Sequence, residues 1–351
     1  MAATRPGPGG LISVDVPPEN LVLVAVVGAA LVFAFTNGFQ DAANSLATSI
    51  STNALGPRVA VLMAAAMNML GAFLGEGVAR TISQNIILPP SGTPGMEVLF
   101  AALVGAIGWN VITWYRGMPS SSSHALVGGM IGAALASAGT ISGAGITESF
   151  VLPMLLSPIV GGLVGYFVMV AILWLFRRAN PLRAARKFRM AQSASAAAMA
   201  LGHGLQDAQK TMGVVVLALV LTGYQHSYTI PMWVVAAAGA SMSLGTVTGG
   251  WRIMRTLGRR VIQLDSPKGF AAETTAALVL YAAAFIWHVP VSSTHTITSA
   301  IVGVGTTRRL SAVRWGVAGD IILIWVLTLP GAAAIAAVSY GLLRVFTLGS
   351  P

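Results

Sequence analysis

Cysteine is absent from this chain of 351 residues, which excludes disulfides, iron–sulfur clusters and thiol catalysis. Charge is scarce as well. Only 9% of residues are Asp, Glu, Lys or Arg, against about 25% in a typical globular domain. Water has to be met by polar groups somewhere, so this composition excludes a soluble fold, a coiled coil and intrinsic disorder. Acids are rarer still: ten Asp and Glu stand against 20 Lys and Arg, a net charge of +10. Period-2 alternation in segments of about ten residues is missing too, which argues against an outer-membrane barrel. What remains is an all-α integral membrane protein with a mean hydropathy of +0.78.

The basic residues are clustered. Arg177, Arg178, Arg183, Arg186, Lys187 and Arg189 form one group; Arg252, Arg255, Arg259, Arg260 and Lys268 a second; Arg308, Arg309 and Arg314 a third. Each closes an apolar stretch, the pattern that marks cytoplasmic loops of a membrane protein rather than a nucleic-acid groove. The chain is therefore expected to be a multi-pass protein of the cytoplasmic membrane, in contact with lipid and not with nucleic acid.

Long uncharged runs cover 20–40, 42–57, 59–75, 98–115, 117–147, 149–176, 190–206, 211–251, 274–307 and 321–343. A helix needs about 20 apolar residues to cross the hydrocarbon, so the runs predict roughly 10–12 membrane segments. Run 211–251 fits two spans joined by a turn near Tyr224–Pro231. Runs 117–147 and 274–307 are interrupted by Ser120-Ser121-Ser122-Ser123-His124 and by Ser292-Ser293-Thr294-His295. Lipid cannot satisfy such groups, so irregular backbone at that depth must line a cavity or lie within protein. Each cluster reads as the tip of a re-entrant or broken helical segment.

The two clusters belong to an internal duplication. Gly38-Phe39-Gln40-Asp41-Ala42-Ala43-Asn44-Ser45 and Gly204-Leu205-Gln206-Asp207-Ala208-Gln209-Lys210-Thr211 share the pattern Gly-x-Gln-Asp-Ala-x-x-[Ser/Thr], their aspartates 166 positions apart. His124 and His295, which close the clusters, are 171 apart. Two motifs recurring in the same order at nearly one offset divide the chain into a tail (1–19), a first transmembrane repeat (20–176), a basic cytoplasmic linker (177–189), a second repeat (190–345) and a C-terminal tail (346–351). Duplicated halves with interrupted helices at matching places predict inverted repeats and a secondary transporter with its site between them.

A carboxylate at the bilayer centre costs about 2.5–3.5 kcal/mol on insertion scales, so Asp41 and Asp207 mark a pathway or a pairing. Asn37, Asn44, Gln40 and Gln206 add neutral oxygens beside them. Carboxylate and amide oxygens suit a hard cation such as Na⁺, or the carboxylate carries a proton. Gly38, Gly202 and Gly204 are expected to let the backbone unwind and expose carbonyls. Lys210 stands where the first half has Asn44, and either replaces a cation, faces an anion or pairs with Asp207. In the clusters, Ser121, Ser122, Ser123, Ser292, Ser293 and Thr294 precede helical stretches, and a helix N-terminus with free N–H groups and hydroxyl donors suits an oxyanion. His124 and His295 either orient those hydroxyls or move protons. Glu273 is expected near the cytoplasmic entrance of the second half, with Glu97 at a comparable place in the first.

These paired motifs resemble the inorganic phosphate transporter (PiT) family, over nearly the whole chain from about 21 to 345. The resemblance rests on Asn37–Thr48, Gly202–Gly213, Pro119–His124 and Pro290–His295, with Gly249-Gly250-Trp251-Arg252 similar to a further family segment. It implies a phosphate symporter driven by Na⁺ or H⁺, forming a homodimer and needing no cofactor. The implied phosphate contacts are Ser121, Ser122, Ser123, Ser292, Ser293, Thr294, Gln40, Gln206, Lys210 and Thr211. The implied cation ligands are Asp41, Asn44, Asn37 and Asp207, supported by His124, His295 and Glu273. Gln before each aspartate departs from the family's usual Asn or His, Lys210-Thr211 resembles the shorter bacterial branch, and Asn68 stands where animal members carry a glutamate. Sulfate or metal-phosphate symport is the alternative within the family, and an anion channel the alternative outside it. Neither an enzyme nor an ATP-driven pump is expected, for want of a nucleophile–base pair or a phosphate-binding loop.

Overall fold

In the computed structural model, the residues described are 18–85, 87–89, 92–141 and 143–348. The expected N-terminal tail thus lies outside the described residues except for 18–19, which open the first helix. Residues 349–351 of the expected C-terminal tail also lie outside them. The helices are α1 (Pro18–Ser51), α2 (Pro57–Ala72), α3 (Gly77–Asn85), α4 (Thr93–Tyr115), α5 (Ser122–Ala136), α6 (Gly143–Ile146), α7 (Leu152–Leu175), α8 (Pro181–Leu221), α9 (Met232–Thr248), α10 (Trp251–Arg255), α11 (Ser266–Ala282), α12 (Ser293–Thr306) and α13 (Trp315–Leu348). A π turn over Thr147–Val151 joins α6 to α7. Two short strands, β1 (Ile87–Leu88) and β2 (Thr140–Ile141), pair antiparallel.

Local chemistry explains the boundaries. Asn180 caps α8, its side-chain oxygen accepting from the N–H groups of Leu182 and Arg183 at 3.0 and 3.3 Å, and Pro181 follows with its preset φ. That start absorbs most of the expected 177–189 linker into helix. Asp265 caps α11 in the same way, accepting from Lys268 N–H. Tyr224–Pro231 does form the turn between α8 and α9.

Among the described residues, six helices are long and apolar enough to cross a membrane, and two bent pairs raise that to eight. The bent pairs are α2 with α3, at 67°, and α9 with α10, at 60°. With 15 and 14 residues, α5 and α12 extend about 22 and 21 Å, short of the ~30 Å of hydrocarbon. Both begin inside the protein, at the two polar clusters. Adding them to the eight gives ten segments, the lower end of the sequence-based range.

The packing is reciprocal between the halves. α1 lies on α9 while α2 lies on α8, and α5 lies on α13 while α12 lies on α7. α1 and α8 run antiparallel: Tyr224, just past the end of α8, donates to Asn20 at the start of α1, and Thr52, just past the end of α1, donates to Gln192 early in α8. α8 is almost wholly enclosed, whereas α7 and α13 turn most of their apolar surface outward. Each of those outer helices carries an internal proline, Pro158 and Pro330, 172 positions apart.

The basic groups converge at one end. Arg252 donates to the carbonyl of Tyr115, Arg314 N–H donates to Val261, and Phe188 sits between Phe176 and Phe270.

The expected unwinding at Gly38 and Gly204 does not occur, because both lie within continuous helix. They serve close approach instead. A Cβ at Gly38 would fall 2.1 Å from the carbonyl oxygen of Met242, and one at Gly204 would fall 2.3 Å from that of Asn68. Small residues let helix backbones meet where lipid offers no hydrophobic drive to association. These two contacts hold α1 against α9 and α8 against α2, and so fix where Asp41 and Asp207 sit.

Candidate functional site

Asp41 lies about three turns from the end of α1 and Asp207 in the middle of α8, both essentially without solvent exposure. The chain then delivers the two serine clusters to them. Ser121 and Ser292 are the N-caps of α5 and α12, their hydroxyls accepting from the N–H groups of His124 and His295 at 3.3 and 3.2 Å. With those oxygens committed to the caps, the next residues turn inward. Ser122 donates to Oδ2 of Asp41 at 3.0 Å, and its counterpart Ser293 donates to Oδ2 of Asp207 at 3.2 Å.

The following position crosses between halves. Thr294 donates to Oδ1 of Asp41 at 3.0 Å and lies 3.1 Å from the carbonyl of Ser120; Ser123 donates to the carbonyl of Val291 at 3.2 Å. The residues one turn beyond the aspartates cross as well. The Asn44 amide reaches Asp41 at 2.9 Å, Thr294 at 2.9 Å and Ser293 at 3.4 Å. The Lys210 ammonium reaches Asp207 at 2.5 Å and Ser122 at 3.5 Å. Lys210 therefore pairs with Asp207 and also turns toward the opposite cluster.

Several expected residues lie elsewhere. The amide of Gln40 donates to Ser120 at 2.5 Å and to Thr113 at 3.2 Å, and that of Gln206 donates to the carbonyls of Leu280 and Val289. Both tie their helix to the extended chain ahead of α5 or α12. Thr211 is buried but makes none of these contacts. The rings of His124 and His295 face one another at 4.4 Å, His124 Nδ1 lies 2.6 Å from the Ser121 hydroxyl, and Trp325 covers His295. They brace the two cluster tips against each other. Glu273 forms a separate buried centre with Thr48, Ser195 (2.5 Å) and Gln192 (3.2 Å). That centre lies seven residues, about 10 Å, further along α1 than Asp41. Glu97 has no part in either centre and lies 3.8 Å from Arg344.

His203 was missed by the sequence reading. Asp41, His203 and Asp207 place one ligand atom each within 4.8 Å of one another. The signal was available: His203 precedes Asp207 by four residues, one helical turn, as Asn37 precedes Asp41. Its Nε2 lies 2.9 Å from Asp207, and its Nδ1 lies 3.1 Å from Oδ1 of Asn68. Thr246 fixes the orientation of that amide. Its hydroxyl donates to Met242 O at 3.0 Å and accepts from the Asn68 amide nitrogen at 2.9 Å. The His203 ring thus stands between Asp207 and Asn68.

Two short helices that begin inside a multi-pass membrane protein, meeting buried carboxylates from two antiparallel neighbours, define a membrane transporter. The sequence profile described as the phosphate transporter family matches residues 37–188 and 180–336. The chain belongs to that family: it is a multi-pass phosphate transporter of the membrane and not an enzyme.

Among its relatives is the probable low-affinity inorganic phosphate transporter of Rhizobium meliloti (strain 1021), 46% identical over 323 residues, which are 91% of this chain and 96% of the relative. The probable low-affinity inorganic phosphate transporter of Bacillus subtilis (strain 168) is 41% identical over 328 residues, 93% of this chain and 98% of that one. A solved structure of a sodium-dependent phosphate transporter superposes with a TM-score of 0.82 at 25% identity, covering 93% of this chain and 99% of its own.

Proposed function

We propose that the protein is a symporter that brings phosphate into the cell with an inorganic cation, by alternating access between two inverted halves. The observation that carries this reading is the convergence of Ser122, Ser293 and Thr294, at the first turns of α5 and α12, on Asp41 and Asp207. Helix N-termini and hydroxyls are donors suited to a tetrahedral oxyanion, while carboxylates beside them suit a cation. In this reading phosphate lies between the two helix starts, contacting Ser122, Ser123, Ser293, Thr294 and Lys210. The cation lies at Asp41, with Asn44 and Asn37.

Buried oxygens at Asn37, Gln40 and Asn44 have no hydrogen-bond partner, which fits a cation ligand set still to be completed. The sodium dependence of the similar transporter of solved structure favours Na⁺ over H⁺. The antiparallel run of α1 and α8 and the exchanged packing of the halves support inversion. The basic end then faces the cytoplasm. The outward apolar faces of α7 and α13 are the candidate lipid and homodimer surfaces.

Purified protein in liposomes, given labelled phosphate under an imposed Na⁺ or pH gradient, tests the proposal. Saturable accumulation against the phosphate gradient is expected with one of the two. Equilibration alone, whichever gradient is applied, would make the protein a channel or a facilitator.

A further inference from the structure

The two halves share Gly-x-Gln-Asp-Ala around their aspartates but part at the polar positions one turn before and one turn after. In the first half Asp41 is flanked, four before and three after, by Asn37 and Asn44. In the second half Asp207 is flanked at the same offsets by His203 and Lys210. The amides leave acceptors unspent: Oδ1 of Asn37 and Oδ1 of Asn44 are buried without a hydrogen-bond partner. Among the described residues, the side chains that donate hydrogen bonds to Asp41 are the neutral ones of Asn44, Ser122 and Thr294. Around Asp41, therefore, one carboxylate and two amide oxygens remain able to coordinate a cation.

Around Asp207 the equivalent positions carry groups that contact the carboxylate themselves. Lys210 reaches one carboxylate oxygen at 2.5 Å and His203 the other at 2.9 Å. Lys210 also makes the cross-half contact that Asn44 makes, to Ser122 where Asn44 reaches Ser293. It thereby occupies the pseudo-symmetric image of the Asn44 position with its charge already in place. A second inorganic cation at Asp207 would have to displace a buried lysine from its carboxylate, leaving an unpaired buried charge, which proteins avoid.

We infer that Lys210 is a built-in cation that, packed with His203 against Asp207, fills the second-half counterpart of the cation site. The transporter then carries one inorganic cation per phosphate, bound at Asp41. This rests on the symport reading and deepens it by naming a stoichiometry.

The test is the phosphate gradient that a known cation gradient just sustains in liposomes, with the membrane potential clamped at zero. A tenfold Na⁺ gradient at equal pH should hold about a tenfold phosphate gradient in the wild type if one cation is carried, and about a hundredfold gradient if two are. A pH gradient in Na⁺-free buffer is read in the same way. The double variant His203→Asn/Lys210→Asn, which recreates the ligand set of the first half, is expected to shift the balance from about tenfold toward hundredfold. A wild-type balance near hundredfold overturns the inference and leaves symport standing, whereas no accumulation under either gradient overturns both. A transporting double variant that stays at tenfold while losing only apparent phosphate affinity also overturns it, by making Lys210 an anion contact alone. The wild-type ratio decides the matter if the variant does not fold.

Discussion

Asp41, on the first helix, accepts a hydrogen bond from Thr294, 253 positions later, at 3.0 Å. The same carboxylate accepts from Ser122 of its own half, so one group reads the position of both cluster tips at once. A movement of either half against the other must break one of these bonds. A bound cation or anion that competes for Asp41 or for the hydroxyls would bias that movement, which is the physical link between ligand occupancy and access.

Neutralising Asp41 tests this link. Asp41→Asn is expected to abolish gradient-driven phosphate uptake while the melting curve remains cooperative, because the amide is nearly isosteric and sits among neutral donors. Uptake at the wild-type rate and coupling would remove Asp41 from the mechanism.

The hydroxyls divide into two kinds. Ser122→Ala and Ser293→Ala each remove a donor pointing into the site, and a buried unmatched polar group costs about 1–3 kcal/mol. Each is expected to weaken apparent phosphate affinity by roughly 5- to 100-fold. The double variant should be non-additive if both touch one anion. Ser121→Ala and Ser292→Ala remove caps, expected to lower stability by about 0.5–2 kcal/mol with little change in affinity. Uptake kinetics beside thermal melts for all four variants make the comparison. The reverse pattern would exchange the two assignments.

Close packing makes its own demand. Gly204→Ala places a methyl group 2.3 Å from a backbone oxygen of Asn68, and a carbonyl in a packed helix cannot move aside as a flexible side chain can. Overpacking of this kind costs about 1–3 kcal/mol, so a lowered melting temperature is expected. The same alanine at Gly28, where a Cβ would meet nothing within 4 Å, is the control and should leave the melt unchanged.

Orientation is testable because the chain has no native cysteine. Arg186→Cys, Arg259→Cys and Arg309→Cys occupy exposed positions at the basic end. All three are expected to react with an impermeant thiol reagent only from the cytoplasmic side. Tyr224→Cys, exposed at the opposite end, should react only from outside. Labelling of any basic-end cysteine from outside would invert the orientation.

Much of this was legible in the sequence. A chain with so few charges had to place its residues against lipid, and the helices followed from the length of its uncharged runs. The duplication was legible because the Gln-Asp and Ser-His patterns recur at nearly one offset. Asp41, Asp207 and the two clusters followed because isolated polar groups in apolar runs need partners within the protein. What a serine does once it is there was not legible. Ser121 and Ser122 are adjacent and chemically identical, and only the direction of α5 makes one a cap and the other a partner of Asp41. Nor could the sequence show that Gly38 and Gly204 tighten helix contacts instead of unwinding the backbone, because close approach depends on which helix lies opposite. Composition and local pattern fixed the helices and the polar positions, since both follow from the cost of burying polar groups in lipid. The crossing of Thr294 to Asp41, the closure of His203 on Asp207 and the separation of Glu273 from both were decided by tertiary structure, because they depend on how helices far apart in the chain pack against one another.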